Sequence, residues 1–361
     1  MDSFAFIIHP IDPKRDVARK YPLLGKLLPE AAIHFFSGFW PPVYLSHITG
    51  ARSRATGKEI EGWLIAVPYT VERMLKLPPR EVYRKIVAAG HLAEDLGAKI
   101  LGLGAYTSIV GDGGFTVAER LEIPVTSGDS YTASVAVKAT RKGAALMGVD
   151  FGTATVAVVG ATGAIGGIVA RQLASGVGQM MLIGRNREAL EERGAEIRAE
   201  SGAEVTLSLD VQDIRRAQVI VTVTSAGGNL VRPEYLQRGA VVCDVSRPRD
   251  VSWQVAQARK DVLVFDGGLL EVPGDVDFGF DYGPPPNMTF GCIAETMTLA
   301  FEGQFEDYSL GKNLDIDMVE KIDAQATKHG FRLAALRSFE HKLEEARIEQ
   351  VRAYAAVGGR V

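Results

Sequence analysis

The sequence predicts an α/β protein: a Rossmann-type, doubly wound parallel sheet preceded by a smaller α/β domain and followed by C-terminal helices. Three observations carry that prediction. Residues 155–187, TVAVVGATGAIGGIVARQLASGVGQMMLIGRNR, read as strand, glycine turn, helix and second strand. Three later apolar runs, 218–224 (QVIVTVT), 240–245 (AVVCDV) and 262–265 (VLVF), have the continuous hydrophobicity of strands buried on both faces, and each ends in small or polar residues. Residues 1–150 alternate strand-like and helical patterns of their own. A chain of 361 residues is long enough for two cores, and the pattern divides it at 1–150, 151–286 and 287–361.

In chain order, residues 4–8 form a buried strand. Residues 43–48 and 60–67 flank the polar turn GARSRATGK and predict a hairpin. Residues 79–96 have helical spacing, with Val82, Ile86, Val87, Ala89 and Leu92 apolar. Residues 99–103 form a short strand that runs into the loop GAYTSIVGDGG. In TSGDSYTASVAVKATRKGAALMG, Ser127, Asp129 or Ser130 suits the cap of a helix reaching Met147. After the glycine unit come a charged helix at 188–199 and a strand at 205–209. Pro284-Pro285-Pro286-Asn287 opens the last region, where Asn287 or Thr289 suits an N-cap and Met297, Ala300, Phe301 and Phe305 form one stripe. Further helices are expected at 315–329 and 332–356. The last is amphipathic through Leu336, Phe339, Leu343 and Val351.

The glycine unit points to a dinucleotide. Gly160, Gly163 and Gly166, with Thr162, Ala164 and Ile165 between them, let backbone N–H groups and a helix N-terminus approach a pyrophosphate. An acid at the tip of the second strand would hold the ribose hydroxyl of NAD; here stand Arg185, Asn186 and Arg187. Two guanidinium groups suit a 2′-phosphate, so the expected cofactor is NADPH. Ligands of open parallel sheets sit beyond the carboxyl ends of the strands. Thr224, Ser225, Asp244, Gly267 and Gly268 lie there as candidates to line the nicotinamide, although each taken singly reads equally well as a turn residue.

Composition narrows the classes. A net charge of −4 implies no general affinity for nucleic acid. No apolar run of about 18 residues exists, so no membrane span is expected. Two cysteines, Cys243 and Cys292, make no disulfide framework and suit a reducing compartment. The N-terminus lacks the basic start and long apolar run of a signal peptide, and a cytoplasmic protein is expected. The histidines at 9, 34, 47, 91, 329 and 341 lack metal-ligand spacing, so no metal site is expected.

Cys292, in NMTFGCIAET, falls in the first turn of an expected helix, where the helix field and unpaired N–H groups lower a thiol pKa. Gly291 before it leaves room for a ligand. A thiolate beside a nicotinamide suggests acyl transfer to sulfur followed by hydride delivery, but a buried core cysteine fits the same residues. Cys243, inside an apolar strand, reads as a small core residue.

With these motifs placed, residues 40–332 resemble the aldehyde-forming long-chain acyl-[acyl-carrier-protein] reductases. The resemblance rests on SHITG (46–50), LGAYTSI (103–109), TSGDSYTA (126–133), VAVVGATGAIG (156–166), GRNREALEE (184–192), FGCIAET (290–296) and KHGFR (328–332). It implies that residues 1–150 bind substrate and carrier, that 151–286 bind NADP, and that Cys292 in the C-terminal helical segment is the nucleophile that carries the acyl group. It implies NADPH-dependent reduction of a fatty acyl thioester to an aldehyde, acyl carrier protein or acyl-CoA as donor, and an aldehyde-consuming enzyme as a further partner. Thr107, Ser108 and Ser127 are the candidate oxyanion donors. An acidic carrier would meet a basic patch, for which Lys14, Arg15, Arg19 and Lys20, or Arg80, Arg84 and Lys85, or Arg141 and Lys142 are the clusters available. Two other readings stand beside it: a two-domain alcohol or hydroxy-acid dehydrogenase of the shikimate dehydrogenase type, and a non-enzymatic NADP-binding sensor.

Overall fold

The computed structural model describes residues 1–356. The chain forms two units. One comprises Met1–Thr132 and Leu270–Arg332; the other comprises Ala133–Leu269 and the chain from Leu333.

The first unit is built on a six-stranded sheet in the order Gly274–Asp277, Val43–Arg52, Glu59–Ala66, Asp2–Ile8, Leu101–Leu103, Val125–Thr126. Asp2–Ile8 is central and runs parallel to Glu59–Ala66 and Leu101–Leu103. Its apolar residues are buried on both faces, Phe4 and Phe6 on one and Ala5 and Ile7 on the other. Gly62 gives the Phe4 ring its place: a Cβ there would fall 2.4 Å from a ring carbon. Val43–Arg52 and Glu59–Ala66 form the expected antiparallel hairpin. The Pro79–Asp95 helix covers one face with Val82, Ile86 and Ala89 in the core.

Three short helices, Pro13–Lys20, Pro22–Leu27 and Glu30–Ser37, fill a stretch read from sequence only as a basic cluster. Their start signals are local: Asp12 caps the first by accepting the Arg15 N–H, and prolines open the first two.

The second unit contains an eight-stranded sheet. Its six parallel strands lie in the order Val205–Ser208, Gln179–Ile183, Thr155–Val159, Val219–Thr222, Val241–Asp244, Leu263–Asp266. In sequence order this is 3-2-1-4-5-6, the doubly wound dinucleotide arrangement. The expected strands at 156–159, 180–183, 205–209, 218–224, 240–245 and 262–265 thus all form, with ends shifted by a residue or two. Cys243 is fully buried in its strand.

The units differ from the sequence division at 1–150, 151–286 and 287–361. Residues Leu270–Arg332 fold with the N-terminal unit. The strand Gly274–Asp277 pairs with Val43–Arg52, and the Gly291–Glu302 helix lies on the central strands. There Gly102 is so close to it that a Cβ would fall 2.2 Å from Thr296 Oγ1. An apolar pattern shows that a segment is buried, and not which sheet buries it.

The helix expected over 332–356 is also corrected. Only Glu345–Ala356 is helical. Before it, Arg337–Ser338 and His341–Lys342 form a two-stranded ribbon that extends the sheet antiparallel to Leu263–Asp266. Phe339 and Glu340 turn it with positive φ (46° and 72°). The Phe339 ring is held edge-on to Trp253, 5.2 Å between centroids, beneath the Arg249 guanidinium. Sheet pairing and this ring contact override the 3.6-residue pattern.

Candidate active site

The strand Thr155–Val159 ends in the glycine turn, and the helix Ala164–Ala174 starts from it with Gly163 as N-cap. Two of the three glycines are fixed by the protein itself. Gly160 has φ +91°, and a Cβ there would fall 2.3 Å from the Val223 carbonyl oxygen; at Gly166 it would fall 2.2 Å from the Gly160 oxygen. Gly163 is different. Its φ is −82°, and a Cβ would meet nothing nearer than the Gly160 oxygen at 3.4 Å. Packing does not demand glycine at that position; the close approach of a pyrophosphate would. Thr162, Ala164 and Ile165 line the same turn, half-buried.

At the tip of the next strand Arg185, Asn186 and Arg187 are all exposed. The Asn186 side-chain oxygen caps the Arg187–Ser201 helix by accepting the Ala189 N–H. Arg187 lies 3.7 Å from Glu191. Among the described residues no ion pair holds Arg185, which is exposed. These residues fit NADPH: a phosphate cradle with a helix N-terminus, and a cationic tip in place of an acid.

At the strand ends, polar groups tie loops together. Asp244 is buried and accepts the Thr222 hydroxyl, the Ser246 N–H and the Val251 N–H. Burial pushes its carboxyl up to about 6 despite the nearby Arg247. Thr224 donates its hydroxyl to Asp250 and its N–H to Ser246, and Ser225 follows it in the same loop. Gly267 is required by packing, since a Cβ would lie 2.8 Å from Cys243 Sγ. The sequence candidates Thr224, Asp244 and Gly267 therefore have structural tasks that account for them.

The first unit holds the cysteine. Met288–Phe290 is a short strand, and the Gly291–Glu302 helix follows at once with Phe290 as N-cap and no side-chain cap. The expected caps are otherwise engaged: Asn287 accepts the Val276 N–H, and Thr289 takes the Tyr282 hydroxyl at 2.9 Å. Cys292 is the second helical residue and half-buried. With no capping side chain, its own N–H and that of Ile293 turn to the sulfur.

These N–H groups do not decide the acidity of the thiol. Burial, and then the charge of Asp129, push Cys292 up to about 12. The lowered pKa expected from a helix start is reversed, because desolvation and a neighbouring acid outweigh two peptide dipoles. Gly291 leaves no vacant space either: a Cβ there would lie 2.7 Å from the Thr132 Cα. Gly128, with φ +76°, packs equally closely, 2.3 Å from its would-be Cβ to the Cα and Cβ of Cys292. Two glycines thus let the start of the Asp129–Met147 helix meet the start of the Gly291–Glu302 helix backbone to backbone.

Two acids lie at this junction. Glu295 is fully buried, accepts the Thr126 hydroxyl at 2.5 Å and the Tyr131 N–H at 2.7 Å, and so anchors one helix start from the other. Burial raises its carboxyl. Asp129 is pushed up to about 8 by burial and then by the charge of Glu295. Sequence reading offered Asp129 only as a cap and passed over Glu295. The available signal was an acid set among small and apolar residues in both TSGDSYTA and GCIAETMTLA.

The proposed oxyanion donors are occupied. Thr107 donates its hydroxyl to the Gly104 carbonyl, Ser108 to that of Ala105, and Ser127 to that of Ser309. Each hydroxyl has one hydrogen, and a main-chain carbonyl already holds it. Among the described residues no group of three or more His, Cys, Asp or Glu could hold a metal ion, and no helix is long and apolar enough to cross a membrane.

A doubly wound sheet with this glycine turn and cationic tip, joined to a second α/β unit, defines an NAD(P)-dependent oxidoreductase. A profile of the shikimate / quinate 5-dehydrogenase family matches residues 143–266, within the second unit. Aminotransferase PigE of Serratia is 32% identical over 98% of this chain, which spans only 42% of the length of PigE. The long-chain acyl-[acyl-carrier-protein] reductase of Synechococcus elongatus is 32% identical over 82% of this chain and 90% of its own length. Among solved structures, shikimate 5-dehydrogenase from Listeria monocytogenes superimposes with a TM-score of 0.39 at 12% identity, covering 89% of this chain and 96% of that one. The chain belongs to the family of the Synechococcus long-chain acyl-[acyl-carrier-protein] reductase.

Proposed function

We propose that the protein reduces a long-chain fatty acyl thioester, carried on acyl carrier protein, to a fatty aldehyde, and that the acyl group rests on Cys292 between the two half-reactions. The single observation that carries this reading is the placement of Cys292 at an uncapped helix start, in a chain that aligns with 90% of a reductase of that name. NADPH, when bound at the glycine turn and Arg185, supplies the hydride. The sulfur attacks the thioester carbonyl and displaces the carrier's thiol. The N–H groups of Cys292 and Ile293 stabilise negative charge on the sulfur as it forms and as it leaves. An acidic carrier would find exposed cations at Arg80 and Arg84 of the Pro79–Asp95 helix and at Lys14 and Arg15. Lys85 and Lys20 contribute less, being bound to the carbonyls of Trp40 and Leu45.

The test is intact-protein mass spectrometry after mixing with long-chain acyl-carrier protein, without NADPH. A covalent acyl adduct on Cys292 is expected, and Cys292→Ser should form none and make no aldehyde while still binding NADPH. The match of residues 143–266 to shikimate / quinate 5-dehydrogenase favours a second reading, oxidation of a hydroxy acid. Full turnover by Cys292→Ser with such a substrate, and no adduct in the wild type, would select it.

A further inference from the structure

The raised pKa of Cys292 leaves a chemical gap: a thiol that stays protonated at neutral pH must lose its proton as it attacks. We propose that Asp129 is the acid–base residue of the acylation step, taking the Cys292 proton as the sulfur attacks and handing it to the departing thiol. The inference rests on the acyl-enzyme reading above.

The geometry comes from the junction of the two helix starts. Asp129 directly follows Gly128, which stands so close to Cys292 that a Cβ on it would fall 2.3 Å from the Cys292 Cα. Of the charged groups around Cys292, Asp129 acts most strongly on it, ahead of Glu295. The groups that face Asp129 are Cys292 and Glu295 from the Gly291–Glu302 helix and Ser127 from the preceding loop; Tyr282 also interacts with the thiol. Glu295 is unsuited to proton transfer, since its two oxygens are held by Thr126 and Tyr131. Tyr282 donates to Thr289 and stays neutral. Asp129 lies within reach of Ser127, and burial with the charge of Glu295 brings it to about 8, close to the working pH that a general base needs.

The protons balance. The Cys292 S–H bond breaks and its proton passes to the Asp129 carboxylate while the sulfur–carbonyl bond forms. The carrier's C–S bond then breaks, and Asp129 returns the proton to that sulfur, which leaves as a neutral thiol. After aldehyde release the Cys292 thiolate takes one proton from solvent, the proton the overall reduction consumes.

The experiment is rapid-quench acylation followed by mass spectrometry across pH 6–10, on wild type, Asp129→Asn and Asp129→Glu. In the wild type the rate should rise with pH and bend near 8. Asp129→Asn should be about 100-fold slower at pH 7, lack the bend, and recover with alkali as the free thiolate appears. Asp129→Glu should keep a bend. A purely electrostatic Asp129 gives the opposite sign: without its charge the thiol is more acidic, and Asp129→Asn acylates faster. That result, an unchanged bend in Asp129→Asn, or no alkaline recovery would overturn the inference. A wild type that is never acylated at any pH would remove the acyl-enzyme reading itself.

Discussion

The contrast between Gly163 and Gly166 separates what the glycine turn does for the fold from what it does for the cofactor. At Gly166 an added methyl would be 2.2 Å from the Gly160 carbonyl oxygen, 2.8 Å from its carbon and 3.1 Å from Val223 Cγ1. Backbone must move, and overpacking of this kind costs about 1–3 kcal/mol. At Gly163 the nearest atom is 3.4 Å away and φ is already −82°. Alanine there is a poorer N-cap than glycine, by up to about 1 kcal/mol. It also restricts the unfolded chain, which returns about 0.4–1 kcal/mol. The two nearly cancel. Gly163→Ala should therefore melt within about 3 °C of the wild type. Its methyl, however, would stand where a pyrophosphate on this turn would approach. A loss of about 1–3 kcal/mol in that contact weakens NADPH about 5- to 150-fold. Differential scanning fluorimetry and fluorescence titration with NADPH measure the two effects. Gly166→Ala should lose stability, and Gly163→Ala should lose affinity alone. Wild-type NADPH affinity in Gly163→Ala would refute the placement of the pyrophosphate on this turn.

Two further variants test the tip and the cysteine site. Arg185→Ala should weaken NADPH at least tenfold and leave NADH nearly unchanged in parallel titrations, because the exposed guanidinium is available to a 2′-phosphate and has no ion-pair partner among the described residues; equal weakening of both would assign the arginine another task. Gly128→Ala combines a φ of +76° with a methyl driven into the Cys292 backbone. It should abolish acylation of Cys292 while NADPH binding persists, and normal acylation would show that the two helix starts can separate without loss of the site.

Much of this protein could be read from its amino-acid order. The strand and helix at 155–174, the glycine turn and the apolar strands that follow are local patterns. Their residues are buried on both faces wherever the sheet places them, so the parallel fold follows from periodicity and glycine positions. The cationic tip is equally local, because it is defined by its distance along the chain from the turn. Cys292 was also placed correctly at a helix start, by the glycine before it and the apolar stripe after it.

Other features existed only once the chain had folded. Leu270–Arg332 joined the N-terminal sheet because Gly274–Asp277 found an open edge on Val43–Arg52, which no local pattern records. The stretch before Glu345 became a ribbon because an edge strand at Leu263–Asp266 and the Trp253 ring were there to receive it. The acidity of Cys292 changed sign for the same reason. A helix start is visible in sequence and lowers a thiol pKa. The burial, and the carboxyl of a residue 163 positions earlier (292 minus 129) that reaches it through Gly128, arise only from packing. Short-range geometry is encoded in neighbouring residues, whereas dielectric environment and the approach of distant charges are properties of the assembled fold.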